Sequence, residues 1–576
     1  MYISNIYIEN FRNFKSINIP LKPFTIIVGK NDTGKSNLVD ALNIVLYNDK
    51  GNYYAKSLSK YDFNTLCVKS FCEEMKLFYK KVEDKFNLDK YVDELIDNAP
   101  FIVIRLKFED PKGEYEQSLL RDWMNGDENL IYFEVEYRYF LKDRRKLKEI
   151  IADLVKEDLI EDRHADFQLF SECYDYSIIS TNNNKSIDFT KIRNFVANTI
   201  VAERDTFSSG DTFGATRVVA NIIDSSLDHK DKAELSKRYN DFFDGIQSLE
   251  SFRNIYKDIV SQNKSIQDFI SDIKLVPSAK KYKDIIENIT LSYGDDMLFQ
   301  RGLGTRNLIF LLTLYSYFLN DPIERRKFNL ICIEEPESHL DIDNLKISIE
   351  FFKKARKRNS LTQLLISTHN NQIINKLDLS NVIILLENDI IVNLSDIDPN
   401  MMYYLEKREN YDTLNMLYAN RLILVEGSTE EIYLNTLLKH NPSLNNVRVI
   451  SIGQKGFRTF IEAWTSFHIM SQDKLGIIRD YDNQDNAKKD HEAYNSNVIH
   501  VATSLGKEFE NDFINKDNNL DELNSLLSTN YTAEEMYNNM ISDKLNIIIK
   551  ICRAIERGEP FSVPDYINNL LEWIQQ

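Results

Sequence analysis

The feature that most limits what this chain can fold into is Gly29-Lys30-Asn31-Asp32-Thr33-Gly34-Lys35-Ser36, which fits the phosphate-loop pattern G-x-x-x-x-G-K-[ST] at every position. Such a loop works only where a strand turns into a helix. Phe24-Thr25-Ile26-Ile27-Val28 ahead of it is short, apolar and β-prone, and Leu38, Ala41, Leu42 and Val45 behind it recur at helical spacing. The glycines permit a tight turn whose N–H groups face a phosphate, backed by the positive end of the helix dipole. Gly29, Asn31 and Gly34 then shape a nucleotide cradle, Lys35 reaches the β- and γ-phosphates, and Ser36 ligates Mg²⁺.

With 576 residues the chain is too long for one hydrophobic core, so two or more domains are expected. A net charge of -18 argues against a protein that coats nucleic acid with its whole surface, a mode that depends on releasing counterions from many phosphates. Local basic clusters remain at Lys142 to Lys148, at Lys280, Lys281 and Lys283, at Arg325 to Lys327 and at Lys353 to Arg358; each reads as a solvated helix face, and together they make a track only if the fold gathers them. The five cysteines are scattered and lack a second close pair to complete a zinc site, so they read as reduced thiols. No apolar run is long enough to span a bilayer, and the amino-terminal Met1-Tyr2-Ile3-Ser4-Asn5-Ile6 has no signal-peptide character; a cytoplasmic location is expected, with no membrane partner.

A second constraint lies at Asn329-Leu330-Ile331-Cys332-Ile333-Glu334-Glu335-Pro336-Glu337. An apolar run ending in adjacent carboxylates is a buried parallel strand delivering acids to the ligand-binding edge of a sheet. Like charges side by side call for a cation, so Glu334 is assigned to Mg²⁺ and Glu335 to activating the attacking water. Leu361 to Ile366 is a further buried strand, and it places His369 near the γ-phosphate. Gly302 and Gly304, at the start of an apolar helix, form a candidate second anion site. Phe101 to Phe108 and Ile131 to Tyr137 read as an antiparallel wing, Ile285 to Ser292 as a strand, and about 215–275 as a helical insertion.

The carboxy-terminal third repeats the logic with acids alone. Arg421 to Val425 is an apolar strand ending at Glu426, with Ser428 and Glu431 spaced as a capping box for the next helix. Val447 to Ile452 is a strand, Phe457 to Met470 a helix, and Leu475 to Arg479 a strand that ends in Asp480-Tyr481-Asp482. This alternating β/α unit collects so many carboxylates at one edge that a divalent metal is needed to make them tolerable.

The first group of motifs resembles the ATPase head of ABC, SMC and RecF-type proteins, and the second is similar to a Toprim domain. The Toprim resemblance implies Glu426 and Glu430 as its first acidic motif, Asp480 and Asp482 as its second, and Asp512 within Glu510-Asn511-Asp512 as a later element. It also makes Lys544 a candidate for the residue that stabilises developing charge, although alone Lys544 reads as a solvated lysine on a helix. A head followed by Toprim resembles the OLD (overcoming lysogenization defect) family. The fold expected is α/β multidomain: an ABC/SMC-like head over 1–380 with the helical, dimerising insertion, a linker over 381–420, and a Rossmann-like Toprim domain over 421–576. The resemblance implies an ATP-regulated DNA endonuclease of bacterial antiphage defence that uses Mg²⁺ or Mn²⁺ and acts as a homodimer or higher oligomer. A helicase, or a retron reverse transcriptase with its nucleic acid, is the implied kind of partner. The alternatives are a repair ATPase of SMC/RecF type that uses Toprim for docking, and a Toprim topoisomerase activity.

Overall fold

The computed structural model describes residues 1–47, 57–82, 96–125, 132–156, 172–181, 185–200, 223–251 (except 225 and 226), 292–297 (except 295), 300–320, 327–356 (except 339 and 341), 361–369, 379–396, 399, 403, 419–453, 456–467 and 473–576. They divide into two compact units, Met1–Asn370 with Asn381–Ile391, and Val392–Gln576 with Asn371–Ser380.

The first unit holds an antiparallel sheet and a mainly parallel one. In the antiparallel sheet Tyr2–Phe11 lies between Phe14–Pro20 and Ile102–Glu109, and Tyr132–Leu141 follows, flanked by Met124–Asn125 and Tyr174–Ser180. This is the wing that alternation in the sequence anticipates. The other sheet runs in the order Ile391–Asn393, Val382–Leu385, Phe24–Gly29, Thr362–Thr368, Phe328–Glu334, Phe195–Ile200, and the strands from Val382–Leu385 onward pair in parallel. Every residue of Phe24–Gly29 and of Thr362–Thr368 is buried, as expected of strands covered on both faces. The strand leading to His369 stands between the phosphate-loop strand and the strand ending at Glu334. Three carboxyl ends therefore converge within two strand spacings, about 10 Å.

Aromatic packing joins the two sheets. Phe108 of the wing lies 5.4 Å from both Phe195 and Phe328 of the parallel sheet, and Trp123 packs on Phe195 at 3.9 Å. Buried Gln363 adds directed bonds, accepting from the Ile3 N–H at 2.8 Å and donating to the Ile3 and Lys22 carbonyls.

One expectation is corrected here. Val382–Leu385 pairs in parallel with the phosphate-loop strand, so the first sheet continues into the stretch read as a linker from 381 to 420. The reason is chemical: Val382-Ile383-Ile384-Leu385 is fully apolar and is buried throughout. Of the insertion at 215–275, residues 223–251 (except 225 and 226) are described, with the helix His229–Ser248 opened by a capping box on Asp228 and leaving Phe242 exposed; 215–222 and 252–275, like all but Ser292 of the strand expected at Ile285 to Ser292, lie outside the described residues.

The second unit is built on a parallel sheet in the order Val447–Ser451, Arg421–Val425, Lys474–Arg479, Ile499–Thr503. Helices Ser428–Lys439, Phe509–Ile514, Lys544–Glu556 and Asp565–Gln575 bury one of its faces around Ile423, Val425, Ile478 and Ala502. All five cysteines are free thiols. No described helix is long and apolar enough to cross a membrane.

Candidate functional site

In the first unit the sequence pattern becomes a closed loop at the carboxyl end of its strand. Gly34 sits at φ 100°, and a Cβ there would lie 2.4 Å from Asn13 Nδ2 and 2.6 Å from the Phe14 ring, so both conformation and space demand glycine. A Cβ on Gly29 would meet Thr33 Oγ1 at 2.3 Å. Lys35 folds over this turn and donates to the Gly29 and Lys30 carbonyls, each at 2.8 Å. Burial draws its ammonium below the ordinary lysine value, while Glu335, Glu337 and Asp32 act in the opposite direction. Asn31 and Ser36 are exposed at the mouth. Arg12 braces the loop from the first hairpin, bridging Asp40 of the following helix and Asp62.

The acids lie at the carboxyl end of the strand Phe328–Glu334, and Glu335 and Glu337 are individually bonded. Glu334 ends its strand, and Glu335 follows at φ 43° with its N–H on the Ser367 carbonyl at 2.9 Å. His369 Nδ1 lies 3.1 Å from Glu335 Oε1, and Glu337 accepts from Thr368 Oγ1 at 2.6 Å and from the His369 N–H. The sequence reading names Glu337 in the acidic run but gives it no role; its signal was a third carboxylate just past Pro336. Gly302 is exposed and Gly304 falls in the first turn of the helix Leu303–Asn320, with open space where a Gly302 Cβ would stand.

In the second unit the acids converge on the carboxyl edge of the sheet. Glu426 follows Arg421–Val425, and its Oε1 accepts the Asp480 N–H at 3.1 Å, locking two strand ends together. Asp480 is 9% exposed, and its Oδ1 accepts the Phe509 N–H at 2.9 Å. Burial first, then the charges of Glu430, Glu426 and Glu510, push the Asp480 carboxyl up to about 8. Burial also raises Glu426, a shift opposed by the Asp480 N–H and the nearby Arg479. Asp482 turns outward at φ 52°, with its N–H on the Lys507 carbonyl. Glu430 is buried on the first turn of Ser428–Lys439; that helix is capped by Gly427 without a side-chain bond, so the Ser428–Glu431 capping box does not form.

Two assignments shift. Asp512 spends both oxygens on a loop, accepting the Leu505 and Gly506 N–H groups at 2.6 Å each, and is a clamp for the turn after Ile499–Thr503. The acid that faces the cluster is Glu510, fully buried, with Lys544 Nζ 2.8 Å away. The signal was present: Phe509, Phe513 and Ile514 mark the buried face of that helix, which includes Glu510 and leaves Asp512 off it. Lys544 is no mere solvated lysine. It also approaches Glu430 at 3.9 Å and Glu508 at 4.0 Å. Burial draws its pKa down, but Glu510, Glu430 and Asp480 more than offset this and leave it raised.

Glu426, Glu430, Asp480 and Glu510 thus bring hard oxygen donors to one sheet edge, with Lys544 as the ammonium beside Glu430 and Glu510. Glu510 Oε2 accepts no hydrogen bond although it is buried. Among the described residues no three of these side chains already converge as an ion-binding group; Glu426 and Asp480 accept backbone N–H groups and Glu510 meets Lys544. The donor chemistry nonetheless fits a divalent cation: oxygen-only ligands, buried, with a surplus of negative charge.

The AAA ATPase domain family matches residues 1–374, and the TOPRIM domain of overcoming-lysogenization-defect-like proteins matches residues 417–482. The chain is similar to Endonuclease GajA of Bacillus cereus (strain HuB5-5), 26% identical across 99% of this chain and 88% of that protein. It is 24% identical to Endonuclease GajA of Bacillus cereus (strain VD045) across 80% of this chain and 72% of that one. Among solved structures, the Smc head bound to the C-winged helix domain of ScpA covers 69% of this chain and 99% of its own, at 16% identity and a TM-score of 0.34, an agreement too loose to argue from.

Proposed function

We propose, for a chain that belongs to the AAA ATPase domain family and carries a Toprim domain of the overcoming-lysogenization-defect kind, that it is a divalent-metal-dependent DNA endonuclease controlled by nucleotide and working in antiphage defence. The observation that carries the reading is the carboxylate cluster at the edge of the second sheet, where burial, and then the charges of neighbouring acids, drive Asp480 up to about 8. A site that strains against its own negative charge is built to receive positive charge.

Glu426, Asp480 and Glu510, with Glu430 and Asp482, would hold Mg²⁺ or Mn²⁺. Bound there, the ion supplies a water of lowered pKa and neutralises charge on the phosphodiester. The chain's own residues do the rest. The Asp480 N–H holds Glu426 in line, the Phe509 N–H orients Asp480, and Lys544 offers an ammonium to charge developing on the phosphate. In the head, Gly29, Asn31, Gly34, Lys35 and Ser36 receive the phosphates of ATP, Glu334 serves its Mg²⁺, and Glu335 with His369 faces the γ-phosphate. Gly302 and Gly304 would complete the nucleotide site of a second copy, which makes the working unit a homodimer or larger. The domain limits that go with this reading are a head over Met1 to Asn393 and a Toprim domain from Arg421 onward.

The test is cleavage of supercoiled plasmid with and without Mg²⁺, Mn²⁺ and ATP. Asp480→Ala is expected to lose several kcal/mol of transition-state stabilisation, on the order of 10³-fold in rate, while still binding ATP. Full cleavage by that variant, or equal cleavage by wild type in chelator, sinks the assignment. The Glu335–His369 pair favours one other reading, an ATPase of the repair type whose Toprim domain only docks a partner; it requires ATP turnover with no cutting under any metal.

A further inference from the structure

The C-terminal helix Asp565–Gln575 runs antiparallel to the strand Lys474–Arg479. Lys474 Nζ donates to the Trp573 carbonyl at 2.8 Å, and a Cβ on Gly476 would meet Leu570 at 2.9 Å. Four residues back along the helix advance about 6 Å, roughly two strand residues, so Tyr566 is level with Ile478. Helical side chains lean toward the amino terminus, and strand residues two apart share a face, so the next group Tyr566 addresses is Asp480.

Tyr566 is 8% exposed, and its hydroxyl has no hydrogen-bond partner. Leaving a buried hydroxyl unpaired costs about 1–3 kcal/mol, so such a group calls for an explanation. Burial first, then the charges of Asp480, Asp512 and Glu430, raise the phenol well above its ordinary value, so it stays protonated and is a donor. Asp512 already has two N–H partners, and Glu430 accepts from Thr429 Oγ1 and lies by Lys544. Asp480 carries one N–H on Oδ1, and among the described residues its other oxygen has none.

We propose that Tyr566 is a positioning residue of the acid cluster, its hydroxyl donating to Asp480, directly or through an enclosed water, when that carboxylate serves a divalent cation. The inference rests on the metal-dependent reading of the Toprim site. It gives the buried phenol an acceptor in the loaded state, and it gives a metal-binding carboxylate the outer hydrogen bond that fixes its orientation.

Tyr566→Phe in the full-length chain removes one oxygen and keeps the ring in the core. Calorimetric titration with Mn²⁺ in the absence of DNA is expected to show metal affinity reduced about 10-fold or more. The Tm of the metal-free variant is expected to equal or exceed that of wild type, because an unpaired buried hydroxyl has gone. Equal Mn²⁺ affinity in both proteins overturns the inference and leaves the nuclease reading standing. A lower metal-free Tm overturns it also, since the hydroxyl would then be serving the resting fold. A wild-type chain that takes up no Mn²⁺ removes the nuclease reading and this inference together, while unchanged affinity beside a binding wild type removes this inference alone.

Discussion

The two sites are opposite receptors built at the same place in two parallel sheets. In the head, Glu335 has His369, Glu337 takes Thr368 and the His369 N–H on one oxygen, and Lys35 turns its ammonium onto backbone carbonyls that a phosphate would replace. In the second unit, Glu430, Glu508 and Glu510 crowd around Lys544, and Asp480 is pushed up to about 8. The first arrangement holds positive charge ready for an anion; the second holds negative charge ready for a cation. The sheet edge is the same kind of platform in both, and the balance of charges on it decides the ligand.

The contrast breaks most visibly if one site can stand in for the other. Lys35→Ala removes the head's ammonium, and ATP affinity is expected to fall about 30–100-fold, the loss of one or two charge-assisted bonds. Metal-dependent plasmid cleavage without ATP is expected to persist in that variant; its disappearance in a folded protein would merge the two sites into one.

A smaller effect sharpens the boundary within the second site. Glu510→Gln is expected to weaken Mn²⁺ binding about 10-fold with little change in Tm, whereas Asp512→Asn is expected to cost about 1–3 kcal/mol of stability and leave Mn²⁺ affinity in place. Calorimetry and thermal unfolding on both variants check this, and the reverse pattern would return Asp512 to the metal set.

A further effect concerns protons. Asp480 sits at about 8 in the folded chain against an ordinary 3.8, so across that window the folded state keeps a proton that the unfolded chain has released. Stability of the metal-free protein therefore falls as pH rises from 3.8 to about 8 and stays reduced above it. Asp480→Asn is expected to flatten this profile and to raise the metal-free Tm at pH 8, by about 2–4 °C for each kcal/mol relieved. An unchanged slope in thermal melts across pH 5 to about 8 would mean that the burial of Asp480 is not what limits the resting protein.

Much of this was legible in the sequence because the motifs are local. Gly29 to Ser36 demands strand, turn and helix within a few residues, and the runs ending at Glu334, Glu426 and Asp480 announce buried strands that deliver acids. What was not legible depends on chain neighbours far apart. Nothing near His369 says that its strand stands next to the phosphate-loop strand, and nothing near Val382 says that it pairs on the other side. The exchange of Asp512 for Glu510 turned on helix phase, which shows only when the apolar stripe is drawn. Lys544 was ambiguous because a lysine in a helical stretch looks alike whether it meets water or three carboxylates. In the basic cluster at Lys142 to Lys148, Lys142 pairs with Asp175, Arg144 with Asp97 and Lys146 with Glu172.

The strand Val382–Leu385 bears on how this protein can be taken apart. It covers one side of the phosphate-loop strand, and the Leu385 carbonyl would lie 2.9 Å from a Cβ on Gly29. A head truncated at residue 380 would keep every nucleotide-binding motif and yet bare the edge of the strand that carries them, inviting aggregation. A truncation that ends beyond Asn393 keeps that edge paired, which makes the choice of endpoint the difference between measuring a nucleotide site and measuring its collapse.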